Sequence, residues 1–539
     1  MTKIINDTLK IYRFKSNSDI ISFTIFNITN KPIKDLKIKL RYKNIIIDSV
    51  IYPNNSYFVK VESKTVMSID DIIIDDYSTL DEVNVKHHHV KDMTSGNIKN
   101  LIITFAFPIF LSQLFQTLYN TVDSLIVGNF IGKEALAAVA SSSSLIFLLT
   151  SFFLGTSLGA GVLIAKFFGA KNYYVMSKAI HTNIVLSLII STLLTIVGVI
   201  FTPFILKLMK TSSDVLPLSI EYLRYYFLGV VAIVMFNVFN GTLQAVGNST
   251  RPLINLIISS ILNVLLDLLF IGVFKFGVAS AAIATTISQF FSAFLCFIHL
   301  IKKNNIYKIS VLCLKVDKEM LKGIIKYGMP TGIMNSVIGL ANVFVQANIN
   351  VFGSDAMAGC GTYNKLEGFA FIPILAFNNA ISTFISQNLG AKEFDRAKKG
   401  AIFGITSSML MAEVIGILFF LLAPFLIKLF SDDKDAISYG VLEGRTISLF
   451  YFLLALSHAI AAVCRGSGRA IVPMFVMLSC WCIIRLIYIY IAMYYTNDIQ
   501  FIFFAYPITW TLSSIIYVIY LFKSDWIHSF ERKKDSLSI

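Results

Sequence analysis

The stretch TLYNTVDSLIVGNFIG, residues 117–132, carries a single carboxylate, Asp123, inside an otherwise uncharged run from Leu101 to Gly132. At 1.5 Å per residue, about 20 such residues span the ~30 Å hydrocarbon core of a bilayer. An acid near the middle of such a helix costs roughly 2.5–3.5 kcal/mol on insertion scales. Asp123 therefore needs something to face, and the rest of the chain must supply it.

The chain has 539 residues, 56% hydrophobic and 14% charged, with mean hydropathy +0.71. Soluble proteins carry about a quarter charged residues, so this composition describes a polytopic membrane protein. Apolar runs recur at about 101–131, 135–165, 179–206, 222–246, 252–274 and 279–301, then at about 327–352, 356–389, 400–430, 443–464, 470–494 and 499–522. Twelve crossings put both termini on one side. The loops on that side hold Lys166, Lys171, Lys178 and Arg251, seven lysines from Lys302 to Lys326, then Lys392, Arg396, Lys398, Lys399, Arg465 and Arg469. Arg532, Lys533 and Lys534 end the series, whereas the opposite loops hold little beyond Lys133, Lys207, Lys210, Lys275, Lys428 and Lys434. The positive-inside bias thus places both termini in the cytoplasm of a plasma-membrane protein. It also accounts for the net charge of +14 without nucleic acid. No basic-then-apolar signal peptide opens the sequence, so the first membrane helix is expected to act as the targeting signal. The six cysteines, at 296, 313, 360, 464, 480 and 482, contain no Cys-x-x-Cys pair and read as small core residues.

Sliding the chain against itself by 221 residues gives an ungapped match. Gly132 falls on Gly353, Ala135 on Ala356, Gly169-Ala170-Lys171 on Gly390-Ala391-Lys392, and Pro203-Phe204 on Pro424-Phe425. Lys207-Leu208 falls on Lys428-Leu429, Arg224 on Arg445, Gly247 on Gly468 and Pro252 on Pro473. Six helices repeated in one orientation describe an all-α membrane protein of two six-helix lobes, whose substrate site lies between the lobes and whose lobes rock to alternate access. The expected domains are an N-lobe over 96–310, a C-lobe over 311–525 and a basic cytosolic tail over 526–539.

Residues 1–95 differ. FTIFNITNKPIKDLKIKLRY and IIIDSVIYPNNSYFVKVES alternate apolar and polar residues between Asn-Lys-Pro and Pro-Asn-Asn turns, which predicts a small β-sandwich-like cytosolic module. An acidic tract, Asp70 to Glu82, and a linker with His87-His88-His89 follow; with no Cys or carboxylate at zinc-site spacing, the triplet reads as solvated linker.

Asp123 has intramembrane company. The fifth run carries Asn263 and Asp267 on one helical face; the fourth adds Asn237 and Asn240, the sixth Thr285 and Thr286. These groups must face one another or a wet cavity. One reading is a hydrogen-bonded cluster that holds helices together. The other is a cation site: two carboxylates in low dielectric oppose each other's ionisation, so such a pair holds a proton near neutral pH, or Na⁺ ringed by Asn and Thr oxygens. In the second lobe Phe344 falls opposite Asp123 and Tyr488 opposite Asp267. Its buried charges are Lys365, Glu367 and Glu413; Lys365 and Glu367, with Gln346, are candidates for the central cavity. Arg485 in the eleventh run reaches either toward a headgroup or toward another helix. The small-residue series Gly155, Gly159, Gly161 reads as close helix packing. No GxxxxGK[ST] loop, His-Glu-x-x-His or nucleophile elbow occurs, so neither ATP nor an enzyme activity is indicated.

The run FPIFLSQLFQTLYNTVDSLIVGNFIGKEALAAVA, the Gly-Ala-Lys after helices two and eight, and LQAVGNSTRP after helix four together resemble multidrug and toxic compound extrusion (MATE) transporters over about residues 98–525. The resemblance implies an antiporter, not an enzyme, that exports small organic cations in exchange for Na⁺ or H⁺ and needs no other cofactor. It implies a cation site at Asp123, Asn263, Asp267 and Thr285, with Asn237. Gln244 and Asn248 stand where the family's loop usually has Arg and Asp. The tenth helix, read as HAIAAVCRGSG, lacks the carboxylates that another branch uses, so a C-lobe cation site is expected to be absent. The N-terminal module is not part of the family pattern. Lipid-linked precursor flippases share the architecture but call for a strongly cationic cavity, and a membrane-anchored sensor acting through residues 1–95 would leave the intramembrane acids without purpose.

Overall fold

The structure, a computed structural model, describes residues 2–5, 9–16, 20–27, 33–40, 43–47, 56–62, 73–79, 91–209, 211–302, 306–311, 314–430, 433–496 and 498–531. They form two compact units, one taking the strands with Lys171–Lys178 and His299–Leu312, the other His89–Ala170, Ala179–Ile298 and Cys313–Ile539. His87-His88-His89 and the basic tail from Arg532 lie outside the described residues.

Seven strands form the first unit: β1 Thr2–Ile5, β2 Leu9–Ser16, β3 Ile20–Asn27, β4 Ile33–Leu40, β5 Lys43–Ile47, β6 Ser56–Glu62 and β7 Ile73–Thr79. They make a four-stranded sheet, order β1-β2-β3-β6, and a three-stranded sheet, order β5-β4-β7, both antiparallel. Ile25 and Ile38 are buried. Strand β7 falls in the acidic tract, where alternation is weak. Its register sets Asp76 opposite Lys37 of the lysine-rich β4, and opposite charges on paired strands favour that pairing.

Of the helices, α1 spans Ile98–Phe130, α2 Lys133–Gly169, α3 Tyr173–Leu208, α4 Leu216–Ala245, α5 Thr250–Val273 and α6 Ala279–Ile301. The second set is α7 Lys318–Asn350, α8 Ser354–Gly390, α9 Phe394–Lys428, α10 Lys434–Gly466, α11 Ile471–Tyr495 and α12 Gln500–Lys523. All twelve are long and apolar enough to cross a membrane. Two of them, α5 and α11, contain π-helical stretches, Leu268–Val273 and Leu478–Ile484. A third, α10, is broken by a 3₁₀ turn at Ser448–Phe450. The side-chain carboxylate of Glu413 on α9, half-buried, accepts the Phe452 N–H just past that break, at 3.3 Å, which gives this acid a structural partner.

The 221-residue repeat extends to the backbone. Positive φ values recur at Gly132 and Gly353 (125° and 99°), Lys171 and Lys392 (54° and 62°), and Gly247 and Gly468 (87° and 76°). The lobes meet where α2 crosses α8. A Cβ on Gly169 would strike the Gln387 carbonyl, and one on Gly390 would strike that of Lys166. Gly169 corresponds to Gly390 and Lys166 to Gln387, so the two contacts are copies related by the repeat. Higher on α2, Gly155 and Gly159 meet Gly332 and Gly328 of α7, backbone against backbone. The small-residue series does pack helices, as its spacing suggests.

The segment before α1 is fastened at this crossing. Met93 is fully buried; its N–H donates to Gln387 Oε1 at 3.1 Å, and its carbonyl accepts from Asn388 Nδ2 and Arg396 Nε at 3.1 Å each. Arg396 also donates to the Gly96 and Ser95 carbonyls at 2.7 and 2.9 Å, while Gln387 Nε2 reaches the Ala245 carbonyl at the end of α4 at 2.8 Å.

Gly390→Ala is expected to cost about 1–3 kcal/mol through overpacking, whereas Gly361→Ala, in the same helix but with open space beside it, leaves stability unchanged. Met93→Ala is expected to cost about 2–5 kcal/mol through the cavity it leaves. Thermal melting of the purified full chain reads both; equal melting temperatures for the two glycine variants would contradict the crossing geometry.

Candidate cation site

Three helices of the N-lobe each contribute two polar side chains four residues apart. They are Tyr119 and Asp123 on α1, Asn263 and Asp267 on α5, and Thr285 and Gln289 on α6. The i, i+4 spacing stacks each pair on one face. Asp123 is 8% exposed, Asp267 0% and Asn263 1%. The two carboxyl groups are close enough to interact directly. Asn263 Nδ2 reaches Thr285 Oγ1 at 3.5 Å, and Gln289 Nε2 donates to the Tyr119 hydroxyl at 3.1 Å. From α4, buried Tyr222 stands within electrostatic reach of both acids. Asp267 ends the α-helical part of α5, immediately before the π stretch. Such bulges alter which face the following residues present and recur at functional sites.

Five buried oxygens of this cluster find no N–H or hydroxyl donor among the described residues, although the two carboxyl groups lie within reach of each other: Asp123 Oδ1, both carboxylate oxygens of Asp267, Asn263 Oδ1 and Gln289 Oε1. Buried polar atoms are normally satisfied. All five are hard oxygen acceptors, the ligand set for a proton or a small hard cation. The structure thus brings together Asp123, Asp267, Asn263 and Thr285.

Asn237 comes from α4. It is half-buried, its Nδ2 donates to the Ile233 carbonyl of its own helix at 2.9 Å, and it lines a cleft with Thr150, Tyr226 and Phe227. Asn240 accepts from Gln244 at 2.8 Å. Thr286 bonds the Ala282 carbonyl and lies where a Cβ on Gly229 would clash, a packing role. Tyr119, Tyr222 and Gln289 escaped sequence reading. Stepping four residues back from Asp123 and four on from Thr285 would have found two of them; Tyr222 arrives only through the packing of α4.

In the C-lobe, Lys365 is exposed. Gln346 is half-buried, donating to Asn350 Oδ1 at 2.9 Å and facing Asn364 Nδ2 at 3.5 Å. Glu367 accepts from the Tyr363 hydroxyl at 3.5 Å, and that hydroxyl pairs with Tyr451 at 2.8 Å. Outside the stretch HAIAAVCRGSG, α10 does carry a carboxylate. HAIAAVCRGSG covers only its final turns and the loop beyond; across the 3₁₀ break the same helix carries Glu443, 1% exposed, beside Cys360 and with Oε2 unpartnered. Arg485 turns inward to other helices and is 1% exposed.

The MatE family model matches residues 108–269 and again 330–491, one stretch in each half. The probable multidrug resistance protein YoeA of Bacillus subtilis is 29% identical over 421 residues, covering 76% of this chain and 91% of that protein. A FAD transporter of Shewanella oneidensis is 24% identical over 351 residues, covering 64% of this chain and 77% of that protein. Among solved structures, an outward-facing multidrug resistance MATE family transporter of the MOP superfamily superposes with TM-score 0.76 at 22% identity, over 80% of this chain and 97% of the other. A family model matched twice, over more than half of the chain, shows that this membrane protein belongs to the MATE family.

Proposed function

We propose that the protein is a cation-coupled multidrug antiporter of the plasma membrane, exporting amphipathic organic cations in exchange for Na⁺ or H⁺ through the N-lobe cluster. The observation that carries this reading is the set of five buried oxygens, contributed by α1, α5 and α6, that find no N–H or hydroxyl donor among the described residues. A cation or proton entering there joins three helices that are otherwise linked by one long and one ordinary hydrogen bond. Its loss leaves two carboxylates facing each other in low dielectric, which favours separation of α1 from α5. Occupancy thereby selects between two packings of the lobe, the requirement for coupling an ion gradient to access. The multidrug resistance proteins among the relatives support a drug-like cargo. The half-buried Glu367 and Gln346 on the C-lobe offer polar anchors for it, while exposed Lys365, two residues before Glu367, lies on another face of α8. The basic loops support cytoplasmic termini and make residues 1–95 a cytosolic module that regulates or stabilises the transporter and takes no part in the coupling chemistry.

Asp123→Asn and Asp267→Asn are each expected to abolish efflux of a cationic dye from proteoliposomes under imposed Na⁺ or pH gradients, with insertion and folding intact. The double variant should be little worse than either, because members of one unit are not additive. Normal coupled efflux by both single variants would make the cluster structural. A chain beginning at Lys91, which keeps the Met93 fastening, is expected to transport near the full-length rate; complete loss of turnover in that folded chain would assign the module an essential role.

A further inference from the structure

The guanidinium of Arg485 is among the largest fully buried side chains of the molecule, at 1% exposure, and forms no ion pair among the described residues. Its partners come from three helices. Nε and Nη2 donate to Thr509 Oγ1 of α12 at 3.3 and 3.0 Å, and Nη1 faces Asn342 Oδ1 of α7 at 3.5 Å. Its Cζ lies 4.5 Å from the ring centre of Tyr506 on α12 and 5.4 Å from that of Trp481 on α11. The carboxylate within its electrostatic reach is Glu367 on α8.

The repeat gives these residues their meaning. Helices α7, α11 and α12 are the counterparts of α1, α5 and α6. The 221-residue shift sets Arg485 opposite Val264, the neighbour of Asn263; it sets Tyr506 opposite Thr285 and Asn342 opposite Thr121, two residues before Asp123. Both polar groups adjoin a π stretch, Asp267 before one and Arg485 after the other. The three helices that present carboxylate and amide oxygens without N–H or hydroxyl donors in the N-lobe therefore have C-lobe counterparts that present hydroxyl, amide and aromatic groups wrapped around a permanent cation. Arginine does not deprotonate in proteins, and tyrosine and tryptophan faces attract it.

We propose that Arg485 is the tethered cation of the C-lobe: its guanidinium occupies the niche that corresponds to the exchangeable cation site of the N-lobe and neutralises Glu367 across the lobe. This rests on the N-lobe reading given above. The C-lobe is then held loaded in every state, and the ion gradient acts on the N-lobe alone. Arg485 is a positioning residue; it does not touch the transported compound.

The test uses the full-length chain with Asp123 and Asp267 both replaced by Asn, so that the N-lobe cannot respond, and compares this parent with Arg485→Met and Arg485→Lys in the same background. Two probes are applied: Na⁺ replacing choline at constant ionic strength, and acidification. Two signals are read, Trp481 emission, assigned with Trp481→Phe, and the thermal melting temperature. Removing the guanidinium while keeping its bulk leaves Glu367 without the fixed cation that faces it, so an external cation should enter. Arg485→Met is expected to gain a saturable Trp481 response and a melting temperature that rises with Na⁺ or with acid, as linkage requires for a ligand of the folded state. The parent and Arg485→Lys are expected to show neither. Two results overturn the proposal: a folded Arg485→Met chain indifferent to both probes, or one that fails to fold at every Na⁺ concentration and pH tried, since either makes the side chain a strut. Unimpaired ion-coupled efflux by Asp123→Asn and Asp267→Asn would overturn the N-lobe reading separately, leaving the Trp481 result to be judged by itself.

Discussion

In a hydrocarbon environment a charge has no water to fall back on, and each charged or strongly polar side chain within the twelve helices must find an answer inside the protein. The helical backbone satisfies itself, so the remaining demand falls on a few side chains and on places where the helix is interrupted. Those places coincide. Asp267 adjoins the π stretch of α5, Arg485 that of α11, and Glu413 receives an N–H just past the 3₁₀ break of α10. The N-lobe cluster is the exception, because five of its oxygens find no N–H or hydroxyl donor among the described residues. Everything proposed about coupling follows from that shortfall.

The two lobes show how far one backbone plan can be separated from one chemistry. Positive φ angles recur at the same three repeat positions, and the Gly169 and Gly390 contacts at the α2–α8 crossing are mirror copies across the repeat. Backbone constraints of this kind admit few residues, which is why Gly-Ala-Lys survives in both halves. The interior of each lobe is under no such constraint. Opposite the Asp123, Asn263 and Asp267 positions stand Phe344, Ile484 and Tyr488, and the polar work of the second lobe has moved one residue along α11 to Arg485 and outward to Glu367 and Glu443.

Much of this architecture is legible in the sequence because its determinants are local. Apolar length sets the helices, and the ungapped 221-residue match sets the repeat. The i, i+4 pair Asn263–Asp267 announces a polar face. What stayed hidden depends on geometry that sequence periodicity does not carry. Glu443 opens the tenth apolar run and so reads as a charge at a helix end, whereas α10 extends back to Lys434 and buries it. Tyr222 joins the acids only through helix packing. Asn237 has the right residue type and the right helix, but that its Nδ2 is given to its own backbone and that it lines the cleft with Tyr226 come from geometry. Strand β7 was obscured by its acidic residues, whose complement lies on the non-adjacent, lysine-rich β4.

The crossing of α2 and α8 shows how closely two lobes can pack when glycine leaves the backbone bare. Side chains interdigitated across it would resist sliding, but glycines meeting carbonyls leave little to disengage. The specific bonds there radiate from Gln387, which takes the Met93 N–H and gives its own N–H to the Ala245 carbonyl. One amide side chain on the C-lobe thus holds both the segment before α1 and the end of α4. Hydrogen bonds of this kind contribute about 1 kcal/mol each net, because water replaces them when they part at the end of a helix bundle. Beside this crossing Ile102, Phe105 and Ile109 of α1 pack into the same buried cluster as α8 residues such as Ile374 and Ile381, so apolar burial holds the lobes together and the hydrogen bonds of Gln387 fix where they meet.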